Sequence, residues 1–449
     1  MGVFFGTDGV RGVANTELSC ETAFKLGKAG AYVLAKENKH KAKILVGRDT
    51  RISGSMLEAA LTAGICSVGA EVISLGVIPT PGVAYLVRKY GADAGVVISA
   101  SHNPVEDNGI KFFNGDGFKL SDEIEAEIED VMINSIDTLP LPIGVEVGKT
   151  QVCESSVKDY AEFIAAQTDI DLKGLKIVVD CANGATYKAA RLVFEALKAD
   201  VKFISADPDG TNINANCGST HLENLKAKVV ETGADIGVAF DGDGDRCLCV
   251  DENGEVVDGD MIMAIIGKDF KDKGLLKDNT ITATVMSNLG FMIMAKNNGI
   301  KVAVTDVGDR YVIEEMLKNN HNLGGEQSGH IIILDKNTTG DGLLTAVTLL
   351  TVMKKAGKPV SELKSIMEVL PQVLVNARVD NKKKHEYNNY EVIRKAIAEL
   401  EAKFEGEGRV LIRPSGTEPL VRVMIEGRDI ELIEKEANKL ADLIVETLK

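Results

Sequence analysis

Four short stretches hold most of the residues able to do chemistry. In GADAGVVISASHNPVEDNGIKF, Val96, Val97 and Ile98 read as the end of a parallel strand, and Ser99 to Asn103 as the loop at its carboxyl edge. Pro104 blocks simple continuation as a helix, so Ser101 is expected to be presented rather than buried. A lone serine in such a place is commonly only a cap or a turn residue. Against that stands a second copy of the lead-in: residues 91–96 read GADAGV and 233–238 read GADIGV, and the second runs into Asp241, Gly242, Asp243, Gly244, Asp245 and Arg246. A hydroxyl in one loop and three carboxylates with an arginine in the other suggest two related units facing one site.

In DGDGDR the glycines let the backbone fold tightly, so Asp241, Asp243 and Asp245 can converge as hard oxygen ligands on one divalent ion. The helix-flanked twelve-residue EF-hand pattern is absent. Carboxylates bonded only to the amides of their own turn are the alternative, but three anions this close repel one another and favour a cation, with Mg²⁺ the best match to a phosphate-handling site. Arg246 can neutralise a substrate oxygen nearby. Lys111, in a short apolar strand after the serine loop, is a candidate phosphate or acid/base partner. Asp309 and Arg310 open a helix, and in LGGEQSGHIIILD the residues Glu326, Ser328 and His330 alternate after a glycine pair, as if projecting to one side to grip hydroxyls or an amine. In RPSGTEPLVR, Arg413, Ser415, Gly416, Thr417 and Arg422 make a phosphate nest from guanidinium, hydroxyl and tight-turn backbone.

The elements behind these loops alternate strand and helix, as a βαβ array requires. At 449 residues the chain is too long for one ordinary core, and 45% hydrophobic content with 44 Gly and 10 Pro fits a folded protein. Composition shifts place units at 1–153, 154–254, 255–368 and 369–449. Residues 121–170 read as helical and acidic, a charged helix is expected from about His385 to Glu401, and the tail has the mixed order of a small α+β domain. Arg48 and Arg51, at a strand end, either pair with carboxylates or contact an anion; Asn212 and Asn214 are ordinary loop caps or site residues. The net charge of -16 argues against a nonspecific nucleic-acid binder, and no apolar run reaches the length of a membrane span. The opening MGVFFGTDGVRG is not a signal peptide, and seven Cys without staple spacing read as reduced thiols of a cytoplasmic protein. Neither a Walker phosphate loop nor GxGxxG occurs.

Taken in order, FGTDGVRG, ISASHNP, DGDGDR, GEQSGH and RPSGTEP resemble the α-D-phosphohexomutase superfamily over nearly the whole chain. Gln327 within GEQSGH, the short chain and the absence of long insertions point to its glucosamine branch. The resemblance implies three related α/β domains with mixed sheets plus a smaller C-terminal α+β domain around a central cleft. It implies that Ser101 carries a phosphoryl group and that Asp241, Asp243 and Asp245, with a phosphate oxygen on Ser101, hold Mg²⁺. The implied reaction interconverts glucosamine 6-phosphate and glucosamine 1-phosphate, with glucosamine 1,6-bisphosphate as intermediate or activator. Glu326 and Ser328 would read sugar hydroxyls; Arg11, His102, Asp309 and Arg310 would serve substrate binding, Arg11 by supporting the serine loop; residues 413–422 would hold the distal phosphate. Lys111, Arg246 and His330 share the catalytic role beside Ser101, with the general base open among them. The partners implied are a phosphorylated amino sugar and a second copy in a homodimer, with neither nucleic acid nor membrane.

Overall fold

The computed structural model describes residues 2–6, 8–36, 40–404, 408–415 and 418–449. It divides into two compact units, Met1–Met286 with Gly299–Ile366, and Ser287–Asn298 with Met367–Lys449. The larger contains three sheets. The first has seven strands in the order Phe5–Gly6, Gly9–Val13, Asp107–Asn114, Ala94–Ile98, Lys43–Arg48, Glu71–Val77 and Thr150–Val152. The second places Ile236–Phe240 between Lys176–Asp180 and Cys247–Asp251, and the third places Leu323–Gly325 between Thr280–Thr284 and Ile331–Ile333. Ala94–Ile98 and Ile236–Phe240 are buried along their whole length, as strands covered on both faces must be.

The repeated GADxGV is explained residue by residue. Gly91 and Gly233 end helices Thr80–Tyr90 and Glu223–Thr232 in the left-handed conformation, at φ 57° and 59°. Asp93 and Asp235 then accept the backbone N–H of Lys43 and Lys176, both at 2.8 Å, which pins each strand to the start of its parallel neighbour. At Gly95 a methyl group would lie 2.6 Å from Val87, and at Gly237 2.7 Å from Val229, so glycine lets each helix lie close on its strand.

A third version occurs in different letters. Helix Asp309–Asn319 ends at Asn320 with φ 57°, and Asn322 accepts from Lys277 N at 3.0 Å before strand Leu323–Gly325. All three strands pair in parallel with an earlier strand and in antiparallel with the one that follows. The turns after them carry Ser101, Asp241 and Glu326, so three of the chemical loops occupy equivalent places in three related α/β units.

Two stretches depart from expectation. Residues 121–170 are not helical throughout: helix Asp122–Asp130 widens into a π turn at Val131–Ser135, short 3₁₀ turns follow at Ile136–Thr138 and Gly144–Glu146, and Thr150–Val152 pairs as the edge strand beside Glu71–Val77. Pro140 and Pro142 prevent the helical turns from continuing beyond Thr138. The charged helix of the tail begins later than expected, at Glu391, and ends at Lys403.

The smaller unit is α+β. Strands Gln372–Arg378, Leu420–Gly427 and Gly408–Pro414 form an antiparallel sheet in that order, with helices Glu391–Lys403 and Ile430–Thr447 supplying Ile393, Leu400, Ile433, Leu440 and Ile444 to its core. Among the described residues no helix is long and apolar enough to cross a membrane. The seven cysteines are free, and Cys247 and Cys249 lie buried on one strand with sulfurs 3.9 Å apart.

Candidate active site

Ser101 is not presented on the surface; only 3% of it is accessible, because the loop folds inward against the acidic turn. Its Oγ donates to Asp241 Oδ2 at 2.6 Å and lies 3.3 Å from His102 Nδ1. The Ser101 N–H donates to Ser99 Oγ at 3.0 Å, and that hydroxyl donates to Asp49 Oδ2 at 2.6 Å. Arg51 meets no open anion site. It is buried, paired with Asp49 at 2.9 Å, and donates to the carbonyls of Ser101, Asn103 and Pro104. Asn214, reaching from the second α/β unit, donates to the first two of those carbonyls as well. Arg48 pairs with Glu58, and Asn212 bonds within its own loop.

The turn after Phe240 gathers Asp241, Asp243 and Asp245 so that one oxygen of each lies within 4.8 Å of the others. Oδ1 of Asp243 and Oδ1 of Asp245 are buried without a hydrogen-bond partner among the described residues. Burial, and then repulsion from Asp245 and Asp243, pushes the Asp241 carboxyl well above the usual carboxylate range. Orphaned, mutually repelling carboxylate oxygens fit a hard divalent cation, which would satisfy the oxygens and remove the repulsion.

Around this cluster runs a ring of alternating charge. Asp243 meets Lys111 at 3.1 Å, Lys111 meets Asp8 at 3.0 Å, and Asp8 meets Lys119. Lys119 also pairs with Asp309, which faces His330 at 3.7 Å, and His330 Nδ1 lies 3.4 Å from Asp245. Burial works against the charge on Lys111, but Asp243 and Asp8 outweigh it and hold the ammonium above its ordinary range. Beside these two carboxylates the Lys111 amine is held as a cation. Burial likewise opposes charge on His330, yet Asp245 and then Asp309 lift it to about 8. His102 goes the other way, lowered to about 4 by burial and by Arg246 and Arg11, so its imidazole is neutral at neutral pH. Burial opposes the charge of Arg246 too, and the three aspartates outweigh it, which keeps the guanidinium protonated. Lys119 was not marked by the sequence reading; its only local signal is a lysine flanked by Phe118 and Leu120.

A cavity of about 440 Å³ opens on Ser101. Arg11 and His102 line it from the first α/β unit, Asp245 and Arg246 from the second, and Asp309, Glu326 and His330 from the third. Arg11 pairs with Asp8 at its edge. Glu326 Oε1 accepts the N–H of Gly308 at 3.1 Å. The expected alternation of Glu326, Ser328 and His330 does not occur, because the segment is a turn rather than a strand: Gly329 has φ 90°, Gly329 N–H donates to Glu326 O, and Glu326 N–H donates to His330 O. Ser328 consequently does not line the cavity, and its buried Oγ has no partner among the described residues. Gln327 donates to Asp258, the cap of helix Gly259–Asp272, and so anchors the turn. Arg310 is also outside this cavity; Asp122, Glu125 and Glu314 surround its guanidinium.

In the smaller unit, Arg413 and Arg422 stand opposite each other on the hairpin of Gly408–Pro414 and Leu420–Gly427. Ser415 N–H donates to Leu420 O at 2.9 Å, its Oγ accepts from Glu418 N, and Arg422 pairs with Glu418 at 3.2 Å. Gly416 and Thr417 lie outside the described residues.

Four family models match in succession: phosphoglucomutase/phosphomannomutase α/β/α domain I at residues 2–138, domain II at 158–254, domain III at 258–370 and the C-terminal domain at 374–443. The chain is 62% identical over 444 residues to the phosphoglucosamine mutase of Ruminiclostridium cellulolyticum, covering 99% of each. It is 62% identical over 448 residues to that of Acetivibrio thermocellus, covering 100% of each. Among solved structures, a phosphoglucomutase/phosphomannomutase family protein from Burkholderia thailandensis superposes with TM-score 0.79 at 25% identity, covering 98% of this chain and 97% of that one. The fold is shared with Aspergillus fumigatus N-acetylphosphoglucosamine mutase, at TM-score 0.64 and 18% identity, over 86% of this chain and 94% of that one. With its motifs, its loop geometry and all four domains matched in order, the chain belongs to the phosphoglucomutase/phosphomannomutase family of the α-D-phosphohexomutase superfamily.

Proposed function

We propose that the protein is a phosphoglucosamine mutase, interconverting glucosamine 6-phosphate and glucosamine 1-phosphate through glucosamine 1,6-bisphosphate, with Ser101 as the phosphoryl carrier. The observation that carries the reading is the Ser101 hydroxyl, 2.6 Å from the first carboxylate of a three-aspartate cluster and open to a cavity with cations on its wall. The name of the substrate comes from relatives 62% identical over the full chain.

In the first half-reaction the bond between phosphorus and Ser101 Oγ breaks as one forms to the free sugar hydroxyl, whose proton ends on Ser101 Oγ. The bisphosphate then turns round, and the second half reverses the exchange at the other phosphate, so no nucleotide is consumed. Asp241, Asp243 and Asp245, with a phosphate oxygen on Ser101, would hold Mg²⁺, which supplies neutralisation of charge on the transferring oxygens. Arg246 and Arg11 add fixed positive charge along the cavity wall. Of the three base candidates, Lys111 and Arg246 are held protonated by carboxylates, whereas His330 exchanges its proton near neutral pH. His330 is the base in this account, because of the three candidates its range lies nearest neutrality.

Glu326 would read sugar hydroxyls from the third unit, and Arg413, Ser415, Gly416, Thr417 and Arg422 would grip the phosphate that is not reacting. We take the functional domains as 1–153, 154–254, 255–368 and 369–449, and the assembly as a homodimer. The test compares kcat/KM for the 6-phosphates of glucosamine, glucose and mannose at equal enzyme concentration. Glucosamine 6-phosphate should be turned over fastest. Faster turnover of a non-amino sugar would assign the chain to a phosphoglucomutase or phosphomannomutase, and binding without transfer would make it a sugar-phosphate sensor.

A further inference from the structure

We infer that Arg51 and Asn214 are positioning residues that together clamp the backbone of Ser101 and so set where its hydroxyl meets the substrate, an inference that rests on the carrier role proposed above. Ser101 has φ 53°, a left-handed conformation that a residue with a side chain keeps only where its surroundings hold it. Its carbonyl receives Arg51 Nη2 at 3.0 Å and Asn214 Nδ2 at 2.9 Å. Two residues on, the Asn103 carbonyl receives the same two groups at 2.9 and 3.1 Å. One donor comes from the first α/β unit and the other from the second, and they converge on the same pair of oxygens.

The clamp is itself fixed. Arg51 is 1% accessible and is tied through Nε to Asp49 Oδ2 at 2.9 Å. That same oxygen accepts from Ser99 Oγ, which accepts from the Ser101 N–H, so both polar groups of the serine backbone lead back to one buried ion pair. The acidic loop abuts this arrangement directly. A methyl group on Gly242 would lie 2.5 Å from the Ser101 carbonyl oxygen and 2.8 Å from Asn214 Nδ2. The separation between the serine hydroxyl and the aspartates is therefore set by contacts between backbones, with Arg51 and Asn214 holding one side. Neither residue lines the cavity, so each acts through the loop and not on the substrate.

Transfer in both directions needs Ser101 Oγ in line with phosphorus, first as leaving oxygen and then as attacking oxygen. A displacement of about 1 Å in such a geometry is enough to cost on the order of a hundredfold in rate. The test uses the full chain with Asn214→Ala, Arg51→Lys and the pair, measuring kcat and KM on glucosamine 6-phosphate, thermal unfolding, and amide exchange of residues 99–105. Asn214→Ala should lower kcat roughly tenfold or more while KM stays within about twofold. It should speed exchange in that loop, and the pair should be less damaging than the product of the single effects, because both groups serve the same carbonyls. A kcat within about twofold of the parent, or a raised KM at constant kcat, overturns the clamp. So does a lowered unfolding temperature with full kcat per folded molecule. If the parent itself turns over no sugar phosphate, the carrier reading fails, and the clamp is then decided by exchange alone: an unchanged rate at 99–105 refutes it, and a loop-confined increase upholds it.

Discussion

Replacing Lys119 by methionine removes the ammonium that bridges Asp8 and Asp309 while keeping a similar apolar stem. The two carboxylates are not equally exposed to the loss. Asp8 keeps Lys111 and Arg11, whereas Asp309 is left with His330 at 3.7 Å. Breaking a buried pair by removing one partner costs about 3–5 kcal/mol, and the 20% accessibility of the Lys119 and Asp309 side chains puts this case at or below the lower end, about 2–3 kcal/mol. The pH dependence has a definite sign. In the parent, burial would raise the Asp309 carboxyl, but Lys119 and His330 outweigh it and hold it below its ordinary 3.8. The stability this contributes is present above the unfolded value and lost as pH falls through the folded one. Without Lys119 the burial effect prevails, so the variant loses stability as pH rises from about 4 towards neutrality. Urea unfolding followed by circular dichroism and tyrosine fluorescence, the chain having no Trp, should show a deficit at pH 7 that shrinks towards pH 4.5. Adding Asp309→Asn should recover much of it. A variant within about 0.5 kcal/mol of the parent at pH 7, or a double variant less stable than the single one, would refute the ring of alternating charge.

The acidic cluster predicts that Mg²⁺ raises the unfolding temperature of the metal-free protein, by the equivalent of about 2.7 kcal/mol at a hundred times its dissociation constant. Asp243→Asn should abolish that shift; a scanning calorimetry series with and without Mg²⁺ checks it. His330 in the metal-free protein should titrate near 8 by NMR, and Asp245→Asn should return it towards or below 6.5. The raised value contributes stability that is present below about 6.5 and lost as pH rises through about 8, amounting to about 2 kcal/mol. Arg413→Ala should raise KM for sugar monophosphates about tenfold with a smaller change in kcat, by steady-state kinetics, as removal of a phosphate grip requires.

The serine loop and the acidic turn were legible because their signals are local: a buried strand, a proline, and glycines alternating with aspartates within six residues. The repeated lead-in was legible too, although its cause is the helix end and strand start, at the far end of the strand from the chemistry. The third repeat was hidden, since Asn320 takes the left-handed position of glycine and Asn322 the acceptor position of aspartate. Ser328 was misplaced because strand alternation was assumed through what Gly329 makes a turn. Arg51, Asn214 and Lys119 acquire their partners 50, 113 and 190 residues away, and no local pattern marks such contacts.

Mass analysis of the phosphorylated protein during turnover tests the central claim most directly. On addition of glucosamine 6-phosphate, Ser101 should lose and regain a phosphoryl group as glucosamine 1-phosphate and a small pool of bisphosphate appear, and Ser101→Ala should keep its fold and do neither. Normal isomerisation by Ser101→Ala, or release of inorganic phosphate without isomerised sugar, would contradict the account.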